Sequence, residues 1–124
     1  MATVQISNYF RELFKTLPEE QRLKINSFII HVQKYGLNDL EGRNKSSDQV
    51  PKGTPNKLNK IKYAQEHNLW HYHIGIPEYI DDGKQKGDKT SQYLIHYIKG
   101  DGFIKIIDFS SHPPFKLPKS EAME

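Results

Sequence analysis

The chain has 124 residues and no cysteine, which suits one domain with a modest core and excludes a disulfide framework, a thiolate metal site and a thiol nucleophile. Mean hydropathy is −0.77, and no apolar run approaches the roughly 18 residues of a membrane span. A net charge of +3, with a pI near 9.0, permits an anionic partner without requiring one. The start of the chain lacks the basic-then-apolar pattern of a signal peptide, and the absence of thiols suits a reducing cytoplasm.

The first predicted element is a short strand, "TVQI", in which Val4 and Ile6 share a face. From Asn8 the period changes. Phe10, Leu13, Phe14 and Leu17 recur at helical spacing, with Ser7 or Asn8 as the cap. Pro18 interrupts, and Thr16 with Glu19 suggests a capping box for a second helix. That helix carries Ile25, Phe28, Ile29 and Val32 as its apolar stripe and ends at Gly36. The polar stretch 38–59 holds Gly42, Pro51, Gly53 and Pro55 and reads as a loop.

The second half is rich in β-branched and aromatic residues. Strands are expected at Ile61 to Ala64, Leu69 to Ile74, Gln92 to Ile98 and Phe103 to Phe109. The segment 81–89 forms a long hairpin tip, and "KGDG" from Lys99 to Gly102 a tight turn. The whole chain, 1–124, thus reads as a single α+β domain. A short N-terminal strand and a helical hairpin pack on one face of a small antiparallel sheet, and the other face is left for water or a ligand.

In "LWHYHI", Trp70, Tyr72 and Ile74 share one strand face, and Leu69, His71 and His73 the other. The two imidazoles should project side by side, roughly 7 Å apart, away from the helices. Three readings of the pair stay open. It is a solvated strand face, or two zinc ligands awaiting a third from His96, His112 or Asp108, or a catalytic pair near its ordinary pKa. The last strand leaves the sheet as "IIDFSSHPPFKLP", presenting His112 before two prolines while Phe115 and Leu117 cap the core. His96 lies among apolar neighbours and reads as a hydrogen-bonded structural histidine, whereas His31 and His67 read as surface.

The order of elements, with "KYGLNDLEGRN" (Lys34 to Asn44), "HYHIG" (His71 to Gly75) and "SQYLIHYIKGDGFIKIIDFSSHPPFKL" (Ser91 to Leu117), resembles the RelE/ParE toxin superfamily, most closely its YafO-type branch. The resemblance spans most of the chain. It implies a RelE-like fold and a small ribosome-associated endoribonuclease, paired with an acidic antitoxin and acting on mRNA in the cytoplasm. His71 and His73 stand where typical members carry lysines, and His112 where a basic or histidine side chain near the last strand's end contributes to cleavage. The family's arginine on the intervening strand has Tyr93 at its nearest position, and the 81–89 insert is longer than usual.

Metal-free RNA cleavage needs a base for the ribose 2′-OH, an acid for the 5′-oxygen and cations for the phosphate. His112 with His71 or His73 would supply the first two without any cofactor or metal, giving a 2′,3′-cyclic phosphate and a 5′-OH. Arg43, Lys62 and Lys116 would hold phosphates, and Tyr93 or Tyr97 would stack on a splayed base. The alternatives are a non-catalytic ParE-like inhibitor, a protein-interaction module in which "HYH" is a contact patch, or a toxin domain delivered between cells.

Overall fold

The computed structural model describes residues 2–111 and 116–124. In chain order the elements are β1 (Thr3–Ile6), α1 (Asn8–Thr16), α2 (Glu19–Tyr35), β2 (Asn44–Ser46), α3 (Lys57–Glu66), β3 (Leu69–His73), β4 (Tyr93–Gly100) and β5 (Phe103–Ser111), followed by a 3₁₀ turn, Ser120–Met123. The strands form one mixed sheet in the order β1-β5-β4-β3-β2. β1 runs parallel to β5, and the other pairs are antiparallel. This is the α+β architecture expected, with its N-terminal strand and two helices.

Local chemistry accounts for most boundaries. Ser7 caps α1, its hydroxyl accepting the Phe10 N–H at 3.0 Å. Gly36 ends α2 at φ 67°, a left-handed conformation that favours glycine. The expected capping box does not form. Pro18 stands at the N-cap of α2, and the Thr16 hydroxyl donates back to Leu13 O at 2.7 Å. Proline fixes the entry angle there without a side-chain cap.

Two expectations about the middle of the chain are corrected. Ile61 to Ala64 is not a strand but the centre of α3. The window "KLNKIKYAQE" consists mostly of good helix formers, and four apolar-leaning residues are too few to fix a period. The stretch 38–59 is not wholly loop, because Asn44–Ser46 pairs with β3 as an edge strand.

The main core lies between the α1–α2 hairpin and one sheet face. Phe10, Ile25, Phe28 and Val32 from the helices meet Tyr72, Ile95, Tyr97, Ile104 and Ile106. Phe28 stacks on Tyr72 with centroids 4.8 Å apart. Each such side chain, fully buried, stabilises the fold by about 1.5–3 kcal/mol. The opposite face, expected to be left for water or a ligand, is partly covered. At one end Ala64 of α3, Leu69, Ile107 and Ala122 form a second, smaller core. Tyr63 OH donates to Pro118 O at 2.9 Å and Lys105 Nζ to Met123 O at 2.6 Å, tying the C-terminal segment to α3 and β5.

Candidate functional site

The other end of that second face carries the histidines. Alternation along β3 sends Trp70 and Tyr72 to the helical hairpin and His71 and His73 to the α3 side, as the strand period requires. Register then builds a row across the sheet. Lys45 on β2 is opposite His71, His71 is opposite His96 on β4, and His96 is opposite Asp108 on β5. A bulge between β4 and β5 makes this row possible. Tyr97 pairs with Ile106 and His96 with Asp108, so Ile107 is the extra residue. It resets the parity of β5, which returns Phe109 to the hairpin core and delivers Ser110 to His96.

All three imidazoles are buried, at 3% exposure for His71, 6% for His73 and 2% for His96. The pair on β3 was expected on an open face. Instead the segments flanking β2 and β4 fold over it. The ring of His71 lies 6.1 Å from that of His73 and 6.3 Å from that of His96, centroid to centroid.

Each ring meets a serine, but at different nitrogens. Nδ1 of His71 is 2.9 Å from the Ser47 hydroxyl. Nδ1 of His73 lies 3.1 Å from the backbone N–H donor of Ser91 and 3.0 Å from the Ser91 carbonyl. His96 is tied by its far nitrogen, Nε2, to the Ser110 hydroxyl at 2.7 Å. The contacts at Nδ1 hold the rings of His71 and His73 at the root, beside the backbone. Anchoring Nε2 ties the tip down, which fits the structural role expected of His96.

His71 and His73 line a cavity of about 450 Å³ together with Arg43, Lys45, Gln49, Pro51, Ile80, Thr90, Ser91, Gln92 and Leu94. That size is within the ordinary range for small-ligand sites. Arg43 Nε donates to Asp88 Oδ1 at 2.7 Å, and this bond first of all holds the Asp88 carboxyl below its usual range. The pair is solvent-exposed and contributes little to stability. A larger hollow of about 640 Å³ lies on the hairpin side, lined by Lys24, His31, Tyr35, Glu41 and Tyr79 among others, but it lacks the paired imidazoles.

The backbone beneath the cavity is held from behind. His73 N donates to Arg43 O at 2.9 Å, and the Tyr79 hydroxyl donates to His73 O at 2.8 Å. Burial, helped by the bond to Tyr72, pushes the Tyr79 phenol well above its usual value, so it remains a donor. Gly42 packs so tightly here that a Cβ would lie 1.9 Å from His73 O. Further along the row, burial raises the Asp108 carboxyl, opposed by the Phe109 N–H and by the charge of Lys119.

The structure thus brings together His71, His73 and Arg43 of the residues expected at the site. His112 lies outside the described residues. Lys62 projects from α3, exposed and 3.8 Å from Glu66, and does not line the cavity. Lys116 belongs to a separate hollow of about 490 Å³ with Lys60, Tyr63 and Lys119. Tyr93 stacks on Phe109 at 5.0 Å on the hairpin side of the sheet, away from the histidines. Tyr97, fully buried on that same side, bonds Asn44 and is no platform for a base. Both tyrosines have the parity opposite to His96. Among the described residues, no three His, Cys, Asp or Glu groups are placed to hold one metal ion, so His96 and Asp108 do not complete the zinc reading.

Sequence reasoning missed Lys45, Ser47 and Ser91. Lys45 and Ser47 sit in a polar stretch with no strand signature, and Ser91 precedes its strand. No family model matches the chain, and comparison with curated proteins and with solved structures gives no significant match.

Proposed function

We propose that this cavity is the active site of a metal-independent endoribonuclease, the toxin of a type II toxin–antitoxin pair of the RelE/ParE kind and similar to its YafO-type branch. One observation carries the reading: two imidazoles and two cations, His71, His73, Arg43 and Lys45, line a single cavity. The order of strand, helical hairpin and sheet, together with a pI near 9.0, supports it further. Arg43 and Lys45 hold the scissile phosphate. One histidine accepts the 2′-OH proton as the 2′-oxygen attacks phosphorus. An imidazolium protonates the 5′-oxygen as the P–O5′ bond breaks, leaving a 2′,3′-cyclic phosphate and a 5′-OH. His112 enters as a third proton-transfer group on sequence resemblance alone. The substrate is mRNA on the ribosome, the cell compartment the cytoplasm, and the partner that silences the enzyme an acidic antitoxin.

A second reading has its own observation. Imidazoles exposed by only 3% and 6% are also what a packed, non-catalytic inhibitor or interaction module would contain. Purified protein incubated with translating ribosomes and mRNA, with and without a chelator selective for transition metals that leaves the ribosomes' Mg²⁺ in place, separates the two. Fragments ending in 2′,3′-cyclic phosphate, produced equally with chelator, support the enzyme. Intact mRNA with arrested translation supports the binder, and cleavage abolished by chelator overturns the metal-free mechanism.

A further inference from the structure

We propose that Asp88 is a built-in competitor for the anionic ligand of the histidine cavity. Its carboxylate occupies Arg43 at rest and gives way when a phosphate arrives. That the phosphate belongs to RNA rests on the endoribonuclease reading above; the exchange of anions at Arg43 does not.

The segment 81–89 is laid along 39–43 as a strap. Gly87 N donates to Glu41 O and Arg43 N to Lys89 O, both at 2.8 Å, and Gly42 and Lys89 form a parallel β-bridge. Three ion pairs run along this seam: Lys86 with Asp39 at 3.5 Å, Lys89 with Glu41 at 2.8 Å and Asp88 with Arg43 at 2.7 Å. In the first two the strap supplies the lysine. In the third the signs are reversed, and the strap supplies an acid to Arg43, a cation that lines the cavity with Lys45, His71 and His73.

The backbone on both sides of this third pair is pinned. Arg43 is held between β3 and the strap, since His73 N donates to Arg43 O at 2.9 Å while Arg43 N donates to Lys89 O. Asp88 sits between the anchored residues Gly87 and Lys89, and its own N–H donates to Gln85 O at 3.0 Å. Neither residue can withdraw without breaking those bonds, so the contact that can change is the one between the side chains. The Asp88 side chain is 57% exposed, and turning it into water buries nothing. A guanidinium recognises a carboxylate and a phosphate through the same fork of N–H donors. Asp88 therefore offers Arg43 the kind of group that the cavity takes as ligand. An incoming phosphate can displace it, because an exposed pair is weak and a phosphate in the cavity meets Lys45 as well.

The test measures binding of a single-stranded oligodeoxynucleotide, which lacks the 2′-OH and cannot be cleaved by 2′-oxygen attack. It compares the full chain with Asp88→Asn, Asp82→Asn, Arg43→Ala and the double variant of Arg43→Ala with Asp88→Asn. Asp82→Asn removes the same charge from the same strap, but the partner of Asp82 is Lys84. Asp88→Asn should tighten binding by about two- to fivefold, the range that an exposed ion pair holds back. Asp82→Asn should change it less, and Asp88→Asn should have no effect once Arg43 is alanine. In the unmodified protein the Arg43 Nε–H signal and the Asp88 carboxyl ¹³C signal should move together as the oligonucleotide is added, which decides the matter even if a variant fails to fold. An Asp88 signal that stays fixed during binding overturns the inference, as does the absence of oligonucleotide binding. Weaker binding by Asp88→Asn also overturns it, since Asp88 would then support Arg43 rather than compete for it. If Asp88→Asn binds more tightly but no RNA is cleaved on ribosomes, the endoribonuclease reading falls and the competition stands. If RNA is cleaved and Asp88→Asn binds no more tightly than Asp82→Asn, the competition falls and the endoribonuclease reading stands.

Discussion

The two faces of the sheet are built from the same strands and do opposite things. On the hairpin side, Tyr72, Ile95, Tyr97, Ile104 and Ile106 close against Phe10, Ile25, Phe28 and Val32. The Tyr97 hydroxyl buried there is tied off by Asn44. On the α3 side, positions one residue away carry Lys45, His71, His73, His96 and Asp108. Both faces exclude water from these strands. The first gains its stability from apolar area, whereas the second must satisfy every imidazole it buries with a hydrogen-bond partner. Burial is therefore not what separates core from candidate site in this chain. The chemistry of what is buried is.

The sharpest way to break this comparison is to truncate adjacent residues on β3. Tyr72→Ala removes a fully packed aromatic and should destabilise by about 3–5 kcal/mol, enough to abolish a marginally stable fold. His73→Ala should leave a cooperative unfolding transition but lower cleavage by at least ~10²-fold. Thermal melts and mRNA end-mapping on both variants check it. If His73→Ala melts as low as Tyr72→Ala, the α3 face is simply a second core, and the catalytic assignment loses its ground.

The hairpin face was legible from sequence because its signals are redundant. Phe10, Leu13, Phe14 and Leu17, then Ile25, Phe28 and Val32, repeat at helical spacing, and the alternation of "LWHYHI" fixes which residues of β3 turn inward. The face parity of His71 and His73 followed from the same alternation. Their burial did not, because it depends on segments that carry no local pattern. β2 is "NKS", three polar residues that form a strand only because β3 offers an unpaired edge. α3 hides behind a four-residue run that fits either period. The bulge that brings Ser110 to His96 leaves only the doublet Ile106–Ile107 as a trace, and a parity slip of one residue is set by tertiary pairing rather than by propensity. Tyr93 and Tyr97 were misplaced for a simpler reason: they lie one step out of phase with His96, and their parity had to be read relative to it.

A smaller effect separates cations inside the cavity from those outside. Arg43→Ala and Lys45→Ala should each weaken RNA binding and make the dependence of log affinity on log salt shallower by roughly 0.7, the slope expected per phosphate of a single strand. Lys62→Ala and Lys116→Ala, on α3 and in the neighbouring hollow, should change cleavage far less. Binding titrations at several salt concentrations check this. Equal losses for all four would mean that the RNA runs along α3 rather than into the cavity.

The smallest expected effect concerns Asp108, at the far end of the histidine row. Burial raises its carboxyl above the ordinary value of 3.8, so the folded chain holds this proton more tightly than the unfolded chain does. Stability must then fall as pH rises through the window between the ordinary and the raised value, because the folded state disfavours the charge it acquires there. Asp108→Asn cannot ionise, and its side-chain oxygen can still accept the Phe109 N–H that Oδ1 accepts at 2.8 Å. The variant should therefore melt slightly higher than the parent at pH 7, and the difference should vanish below the ordinary carboxylate range. Exposed acids such as Asp88 behave in the opposite sense. Its partner Arg43 lowers its pKa, so Asp88→Asn should lose a small stabilisation at pH 7 and none at acidic pH. Paired melts across pH 3–7 decide the matter. If Asp108→Asn is no more stable than the parent at pH 7, the carboxylate is stabilised by its surroundings, and the row from Lys45 to Asp108 is an electrostatic unit rather than a set of neighbours imposed by register.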